Sequence, residues 1–260
     1  MTYHPKTGET MVEKARRRRG ERAVERQLSY QEVKSAAMAE TMPITALSIK
    51  LRAAAIRKLL EEHRHPTEKD RVLEVGSGAH GLIFGFEDVF AIGLDPLAVE
   101  YKKLFPVWQA DSKTIAAVGE ELPFDDGAFE VVLSDNVVDH AADPEGIIGE
   151  LVRVLKPGGI MYFTVNTHHP VYQCISTLHG LWNSIGIRFE ITPFADHTVH
   201  FTENRVRMVF ERLPVNIVSE SAPFSKPAKY DSPAKGIEAK IKRLFPKNIL
   251  FEIIATKPNA

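Results

Sequence analysis

Apolar and polar positions change their spacing along the chain, and this change divides it into three regions. Residues 1–64 show mainly helical periodicity. From Arg71 to Val165, short apolar runs alternate with helical patterns, and the last third is mixed. Alternating strand and helix patterns are typical of β-α-β units and a mostly parallel sheet. Because crossovers between parallel strands are nearly always right-handed, the middle region predicts a doubly wound α/β sheet.

Five short apolar runs in the middle region predict its strands. They are Arg71–Val75, Ala91–Leu94, Ala116–Val118, Phe129–Leu133 and Ile160–Val165. One intervening helix has clear boundaries: Asp143-Pro144-Glu145 supplies a capping side chain, a proline at the first helical position and an acid near the positive helix end. Its predicted buried face consists of Ile147, Ile148, Leu151, Val152 and Leu155.

The regions on either side complete the predicted organisation. Residues 1–64 form an N-terminal helical extension, and residues 65–260 form the main domain. Within the extension, one helix would pack on the main domain. Its apolar residues recur every four positions, at Leu47, Leu51, Ala55 and Leu59, and are flanked by Ile56 and Leu60. Residues 171–202 are apolar and aromatic-rich, which fits either a cap over an active-site mouth or a core helix. The remaining predicted elements are helices 203–213 and 236–244 and strands 215–219 and 249–256.

Composition limits the class of protein. Of 260 residues, 44% are hydrophobic and 26% charged, which excludes a disordered chain. The single cysteine, Cys174, excludes an internal disulfide framework and a cysteine-rich zinc site. No membrane-length apolar run and no secretory signal is evident, so we expect a cytosolic protein without a membrane partner.

A basic run near the N-terminus is the main charge asymmetry in a chain of net charge −1. Residues 11–26 contain seven Lys and Arg against three Glu. Clustered guanidinium groups can bind phosphate. A solvated helix or frayed tail is favoured, because no aromatic residues interleave for base stacking. Nucleic acid is therefore disfavoured as a partner.

Candidate chemistry lies where the strands end, since ligands of doubly wound sheets bind beyond the carboxyl ends of the strands. Gly76 and Gly78 follow the first predicted strand, and Asp95 ends the second. Glycines let the backbone turn and approach a ligand, while a carboxylate can accept hydrogen bonds from both ribose hydroxyls. We therefore expect a cofactor that contains adenosine: a nicotinamide dinucleotide, a flavin or S-adenosylmethionine.

Glu74 distinguishes these cofactors. The motif Gly76-x-Gly78-x-x-Gly81 matches the glycine pattern of dinucleotide-binding proteins, but this pattern alone is weak evidence for a dinucleotide site. A carboxylate at Glu74 would oppose a pyrophosphate beside this loop but suits the ammonium group of S-adenosylmethionine. The structural alternative is that Glu74 caps a backbone or pairs with an arginine.

Four segments, in this order, resemble class I S-adenosylmethionine-dependent methyltransferases. The similarity is greatest to the small-molecule branch that includes the ubiquinone and menaquinone biosynthesis methyltransferases. The resemblance covers about residues 71–166 and implies a Rossmann-like seven-stranded sheet whose last strand is antiparallel. The segments are Val72-Leu73-Glu74-Val75-Gly76-Ser77-Gly78, Gly93-Leu94-Asp95-Pro96, 121–132 (ELPFDDGAFEVV) and 153–159 (RVLKPGG).

The resemblance also implies roles for individual residues. Those implied to line the cofactor site are Glu74, Gly76, Ser77, Gly78, Asp95, Pro96, Gly119, Glu120, Ser134 and Asn136. Glu74, Gly76 and Gly78 would line the methionine half of the cofactor, and Asp95 would hold the ribose. Relatives bind adenine with an aspartate where this chain has Val118, which leaves the Gly119 backbone and Glu120. His80 replaces a common glycine and would either approach the cofactor carboxylate or face solvent.

Methyl transfer to a hydroxyl or amine requires loss of a proton, for which histidine is suited. The predicted general base is His168 or His200, while His140 is as suited to organising a turn as to contacting the substrate. A zinc site built from His168, His169, His197 and His200 is disfavoured because their spacings match no ligand pair, so no metal is expected.

The sequence thus predicts an S-adenosylmethionine-dependent methyltransferase that acts on an oxygen or nitrogen atom of a small molecule. Two alternatives are an NAD-dependent oxidoreductase that uses the same glycines and a non-catalytic scaffold that binds the cofactor or RNA.

Overall fold

A computed structural model of the chain describes residues 21, 24–35, 42–65, 67–110, 113–167, 201–221 and 249–259. The predictions for His168, His169, His197 and His200, for helix 236–244, for most of the basic run and for nearly all of segment 171–202 concern residues outside these ranges.

Seven strands form one sheet in the order β3-β2-β1-β4-β5-β7-β6. Strands β1 to β5 pair in parallel, and β7 lies antiparallel between β5 and β6. The predicted Rossmann-like sheet with an antiparallel last strand is confirmed. The strands are β1 Arg71–Val75, β2 Phe90–Leu94, β3 Thr114–Ile115, β4 Phe129–Asp135, β5 Leu155–Thr167, β6 Asn216–Ser221 and β7 Ile249–Thr256.

Helices cover both faces of the sheet. The helices are α1 (24–35), α2 Met42–Glu61, α3 Ala98–Leu104, α4 Pro144–Val154 and α5 Glu203–Phe210, with short 3-10 turns at Leu82–Gly85 and Val138–His140. On one face α4 and α5 pack over residues such as Val132 and Phe163. On the other face α2 and the Leu82–Gly85 turn pack over Val131, Leu133 and Tyr162.

The ends of α4 follow the sequence closely. The Asp143 side chain accepts a hydrogen bond from the Gly146 N–H at 3.2 Å, and Pro144 begins the helix. At the other end, Lys257 Nζ donates to the carbonyl oxygens of Val152 and Leu155 at 2.7 and 2.8 Å. Because the last carbonyls of a helix lack intrahelical partners, this lysine satisfies groups that would otherwise need water.

Several predicted boundaries were wrong. The third strand is Thr114–Ile115, not Ala116–Val118, because the chain pairs with Gly93 and Leu94 at this earlier position. Gly119 consequently follows its strand by four residues. Strand β4 continues through Asp135, so Ser134 lies within the strand and not after it. Helix α5 ends at Phe210 and β6 spans Asn216–Ser221, whereas β7 matches its prediction.

Helix α2 packs on the sheet through the flanking apolar residues and not through the predicted stripe. Ala53, Ile56 and Leu60 are buried, and Ala53 meets the backbone of Gly85, where an added Cβ would lie 2.4 Å from the Ala53 Cβ. The predicted stripe points elsewhere: Leu47 and Leu51 are 59% and 63% exposed.

Candidate cofactor site

A glycine loop at the carboxyl end of β1 forms the floor of the site. The N–H groups of Gly76 and Ser77 both donate to the Leu94 carbonyl, at 2.7 and 3.1 Å, which ties the loop to β2. Gly76 has a φ of +75°, and an added Cβ would lie 2.3 Å from Val137 Cγ1. Gly78 has a φ of +59°, and no atom lies within 4 Å of the position a Cβ would take. The backbone therefore borders open space at Gly78.

Asp95 joins this loop to the end of β2. Its Oδ2 accepts a hydrogen bond from the Gly78 N–H and its Oδ1 from the Leu97 N–H, both at 2.9 Å. The side chain is buried, and burial raises the pKa of its carboxyl. Each carboxylate oxygen keeps a second lone pair for another donor. Pro96 is exposed beside it, before α3 begins at Ala98.

Glu74 lies beneath the loop and caps a backbone segment. Its Oε1 accepts from the Leu82 N–H and its Oε2 from the Ile83 N–H, both at 3.0 Å. These are the first residues of the 3-10 turn that follows the loop. The structure thus shows the capping arrangement, and a direct contact of Glu74 with a ligand stays a prediction.

Burial raises the pKa of the Glu74 carboxyl to about 7, against the lowering effect of its two backbone hydrogen bonds. The nearby carboxylates of Asp135 and Asp95 raise this pKa further. A cationic group bound nearby would stabilise the ionised forms of Glu74 and Asp95. We call the glycine loop 76–78 together with Glu74, Asp95 and Ser134 the cradle. The electrostatics of the cradle therefore favour a positively charged ligand.

The part of the site that was predicted to bind adenine is less open than the backbone at Gly78. Gly119 is buried, and an added Cβ would approach Ile147 Cδ1 at 3.0 Å and Val75 Cγ1 at 3.2 Å. The Glu120 carboxylate accepts hydrogen bonds from the N–H groups of Ala142 and Asp143, at 3.2 and 3.4 Å. Glu120 thus holds the segment before α4, and its predicted contact with adenine remains untested.

Buried polar atoms without a described partner lie at the carboxyl ends of β1 and β4. They are Ser77 Oγ, Ser134 Oγ and Asn136 Oδ1. Ser77 and Ser134 are 5% and 0% exposed. Asn136 has a φ of +58°, and its N–H donates to the Thr164 carbonyl at 3.1 Å. Because unpaired buried polar groups are costly, these atoms fit a ligand that carries its own donors and acceptors.

A second polar group lies at the rim on the α2 face of the sheet, and sequence reasoning missed it. Asp135 Oδ1 accepts from Thr164 Oγ1 and from Arg52 Nη2, both at 2.7 Å. Tyr162 donates its hydroxyl to Glu252 Oε2 at 2.8 Å, and burial raises the pKa of this phenol. Strand pairing aligns Asp135 with Thr164 and Thr164 with Glu252. The alternation of strand side chains was the signal that could have found this row.

Two histidines near the site lie close to other side chains of the protein. The His80 ring contacts Phe105 edge-on, with centroids 4.6 Å apart, and lies 5.4 Å from the Trp108 ring. Burial lowers its pKa to about 4, so it is neutral near pH 7. His80 therefore packs against aromatic residues. His140 ends the 3-10 turn Val138–His140, and its Nε2 lies 3.8 Å from Asp139 Oδ2.

The residues of the cradle fit S-adenosylmethionine. Open space beside Gly78, unpaired polar atoms at Ser77 and Ser134, and spare lone pairs on Asp95 match a ligand with both donors and acceptors. Neighbouring carboxylates match its positive charge. Within the described ranges, no group of three or more His, Cys, Asp or Glu is arranged to hold a metal ion.

Comparison with known proteins agrees with this geometry. Residues 73–163 match the family described as a methyltransferase domain. An uncharacterized methyltransferase of Mycobacterium sp. (strain JLS) is 35% identical over 111 residues, which are 42% of this chain and 44% of the relative. The chain thus matches less than half the length of that curated relative.

Two solved structures show the same fold. A Haloferax volcanii methyltransferase, in complex with the Trm112 activator, has a TM-score of 0.54 at 18% identity, covering 90% of this chain and 97% of that one. The geranyl diphosphate C-methyltransferase of Streptomyces coelicolor A3(2), bound to Mg²⁺, geranyl diphosphate and S-adenosylhomocysteine, has a TM-score of 0.54 at 14% identity, with coverage of 78% and 79%.

The matched residues 73–163 lie within the sheet of order β3-β2-β1-β4-β5-β7-β6, and they are similar to a methyltransferase domain.

Proposed function

We propose that this chain transfers the methyl group of S-adenosylmethionine to an oxygen or nitrogen atom of a small-molecule acceptor. The observation that supports this proposal best is the bonding of Glu74. Its carboxylate occupies the Leu82 and Ile83 N–H groups, at 3.0 Å each, directly after the glycine loop. In a dinucleotide site, N–H groups at this position hold the pyrophosphate. The arrangement therefore disfavours the NAD-dependent alternative.

The proposed cofactor contacts follow from the cradle. Gly76, Ser77 and Gly78 would border the methionine half, with Ser134 and Asn136 supplying polar atoms from the end of β4. Asp95 would hold the ribose through its spare lone pairs, beside Pro96. Gly119 and Glu120 remain the residues that we propose contact adenine. When bound, S-adenosylmethionine supplies an electrophilic methyl group, and its sulfur keeps the electron pair of the broken bond.

The acceptor side of the proposal involves the rim on the α2 face. Asp135 follows Ser134 directly, and its side chain is 15% exposed. A carboxylate here can orient an acceptor hydroxyl or amine and receive its proton. His168 or His200 remains the proposed general base. The resemblance to the ubiquinone and menaquinone enzymes supports assignment to the small-molecule branch.

Ligand binding separates the proposed function from the oxidoreductase. S-adenosylhomocysteine at 100 times its Kd should stabilise the native state by about 2.7 kcal/mol, whereas NADH at the same concentration should cause no shift in Tm. A Tm raised by NADH and not by S-adenosylhomocysteine would reject the proposal.

Turnover separates an enzyme from a binding scaffold. Incubation with a methyl-labelled donor and a panel of alcohols, phenols and amines should label at least one acceptor. Binding of S-adenosylhomocysteine without labelling of any acceptor would instead support the non-catalytic alternative. Salt-sensitive RNA binding that is lost on deletion of residues 1–27 would support its RNA-binding form.

A further inference from the structure

Helix α1 of the N-terminal extension packs beside the cradle. Its residues Val24 and Leu28 pack against an apolar cluster that includes Ala79, the residue that directly follows the glycine loop. The Gln27 side chain hydrogen-bonds to Tyr101 of the same cluster. No described helix, α1 included, is long and apolar enough to cross a membrane. Helix α1 therefore covers the end of the glycine loop.

The burial pattern of α1 is the reverse of the usual one. Gln31 is 6% exposed, whereas Tyr30 and Val33 on the same helix are 61% and 76% exposed. A surface helix normally buries its apolar residues, since burial of an amide group costs free energy unless the group is hydrogen-bonded. Gln31 Oε1 is buried and has no hydrogen-bond partner among the described residues. This oxygen is therefore suited to accept a hydrogen bond from a ligand.

Three more polar atoms without a partner lie on the segments next to α1. They are His80 Nε2, Trp108 Nε1 and Gln109 Oε1, each of them buried and unpaired within the described ranges. The His80 and Trp108 rings have centroids 5.4 Å apart. Gln109 Nε2 donates to the Ala79 carbonyl at 2.7 Å. These three side chains thus lie around residues 79–80, at the end of the glycine loop.

Gln31 lies on the side of α1 that faces this group. Gln27, four residues earlier, bonds to Tyr101. Burial lowers the pKa of His80, and the charge of Lys34, three residues after Gln31, lowers this pKa further. Residues three and four apart lie on one face of a helix, so Gln31 lies on the same face as two side chains that interact with this region.

The four unpaired atoms, which we call the α1 subsite, include both donors and acceptors. The amide oxygens of Gln31 and Gln109 only accept, the Trp108 indole N–H only donates, and a neutral histidine ring can do either. An α-amino-acid group has the complementary set, because its ammonium donates and its carboxylate accepts. An anion alone would leave the amide oxygens unpaired, and a cation alone would leave the indole N–H unpaired.

We propose that the α1 subsite binds the α-amino and α-carboxylate groups of the methionine half of S-adenosylmethionine, so that α1 forms part of the cofactor site. This inference rests on the proposed function. It adds Gln31, Trp108 and Gln109 to the proposed cofactor residues, and Gln31 lies outside residues 73–163, which match the methyltransferase domain. Of the two alternatives for His80, it supports the one in which this ring approaches the cofactor carboxylate.

Two ligands that differ in the amino-acid group test the proposal. 5′-Methylthioadenosine keeps the adenosine and the sulfur of S-adenosylhomocysteine but lacks its amino-acid group. In isothermal titration calorimetry, the unchanged full chain should bind S-adenosylhomocysteine at least about tenfold tighter than methylthioadenosine, because only the former pairs with the subsite.

Variants of the subsite should affect only one of these ligands. Gln31→Leu should weaken binding of S-adenosylhomocysteine at least about tenfold, because a hydrogen bond to a charged group is lost. It should bind methylthioadenosine as the unchanged protein does. Trp108→Phe, which keeps an aromatic ring beside His80, should have the same selective effect. Asp95→Ala should weaken binding of both ligands, since both carry the ribose.

Stability separates a binding role from a structural one. Without ligand, Gln31→Leu should not lower the Tm, because an unpaired buried amide costs free energy and leucine removes this cost. Glu32→Leu, at the adjacent exposed position, is the matched control and should leave both affinities unchanged.

Three results would overturn this inference and leave the proposed function standing. The first is equal affinity of the unchanged protein for the two ligands. The second is unchanged S-adenosylhomocysteine affinity in Gln31→Leu and Trp108→Phe, as expected if water alone satisfies these atoms. The third is an equal loss of affinity for both ligands with a lower Tm, which would show that Gln31 only supports the fold. If the unchanged protein bound neither ligand, the proposed function would fail, and this inference with it.

Discussion

At the residue scale, Glu74 and Asp95 stabilise the backbone of the cradle by accepting hydrogen bonds from its N–H groups. Glu74 supports the turn after the loop, and Asp95 bridges Gly78 and Leu97. The sequence indicated both residues through their positions at strand ends. It could not show which N–H groups each carboxylate accepts from, because this depends on where the chain turns after Gly81.

The proposed ribose contact of Asp95 predicts a specific loss of affinity. Asp95→Ala should weaken S-adenosylhomocysteine binding at least about tenfold, because a charge-assisted hydrogen bond is worth about 1.5–3 kcal/mol. Isothermal titration calorimetry measures this change. Asp125→Ala, at an exposed position, is the control and should bind normally. Unchanged affinity of a folded Asp95→Ala protein would refute the ribose assignment.

The pKa of Glu74, about 7 when folded, predicts a pH-dependent stability. Because the folded state holds this proton more tightly than the unfolded chain, the stabilisation is present below about pH 4.5 and is lost as pH rises through 7. The free energy of unfolding, wild type minus Glu74→Gln, should fall by about 3 kcal/mol between about pH 4.5 and 8. Urea unfolding at several pH values measures it.

The control for this titration is Glu121→Gln, at an exposed position. Its stability should follow that of the unchanged protein at every pH. If the free energy of unfolding changed with pH in the same way for Glu74→Gln and for the unchanged protein, this would contradict a raised pKa at Glu74.

At the element scale, two glycines predict opposite effects of the same substitution. Gly76→Ala should destabilise the fold by about 2 kcal/mol or more, because φ is +75° and the added Cβ would overlap Val137. Gly149 is in α4, with no atom within 4 Å of an added Cβ. Gly149→Ala should therefore stabilise by about 0.5–1 kcal/mol. Denaturant unfolding compares the two, and destabilisation by both would contradict the account of Gly149.

The lysine at the end of α4 gives a second prediction at this scale. Lys257→Met should lower the free energy of unfolding by about 1–2 kcal/mol, because the carbonyls of Val152 and Leu155 lose a charged donor. Lys69→Met, at an exposed turn position, should change stability by less than about 0.5 kcal/mol. Equal stabilities of the two variants would show that the cap contributes nothing.

Elements with strong local signals were predictable, and those fixed by long-range packing were not. The apolar runs of β1 and β4 and the Asp143 cap of α4 indicated their elements directly. Strand β3 has only two residues, so its position depends on pairing with β2. For α2, both faces are apolar in sequence, and only the approach of Ala53 to Gly85 shows which face packs.

At the scale of the whole molecule, the sheet predicts a gradient of local stability. Strands β1, β4 and β5 are central, whereas β3 is a short edge strand. Hydrogen exchange should be slowest in the central strands and faster in β3, since edges open without global unfolding. S-adenosylhomocysteine should slow exchange in residues 76–83. Equal protection of β3 and β4, or no effect of the ligand, would contradict these expectations.

The candidate site was predictable as a set of strand ends but not as a set of contacts. Parallel pairing brings Gly76, Asp95 and Ser134 to one edge, as the sequence indicated. The Arg52–Asp135 ion pair joins residues 83 positions apart on different elements. No local pattern encodes such a contact, because it requires the position of α2 on the sheet.

The place of β7 between β5 and β6 has a consequence during translation. Strand β6 is synthesised before β7, yet β7 is its neighbour in the sheet. Until β7 has left the ribosome, β6 lacks its neighbour in the sheet and β5 presents an open edge. Exposed strand edges invite pairing between chains. A nascent chain that still lacks β7 is therefore more open to pairing with other chains than the finished sheet.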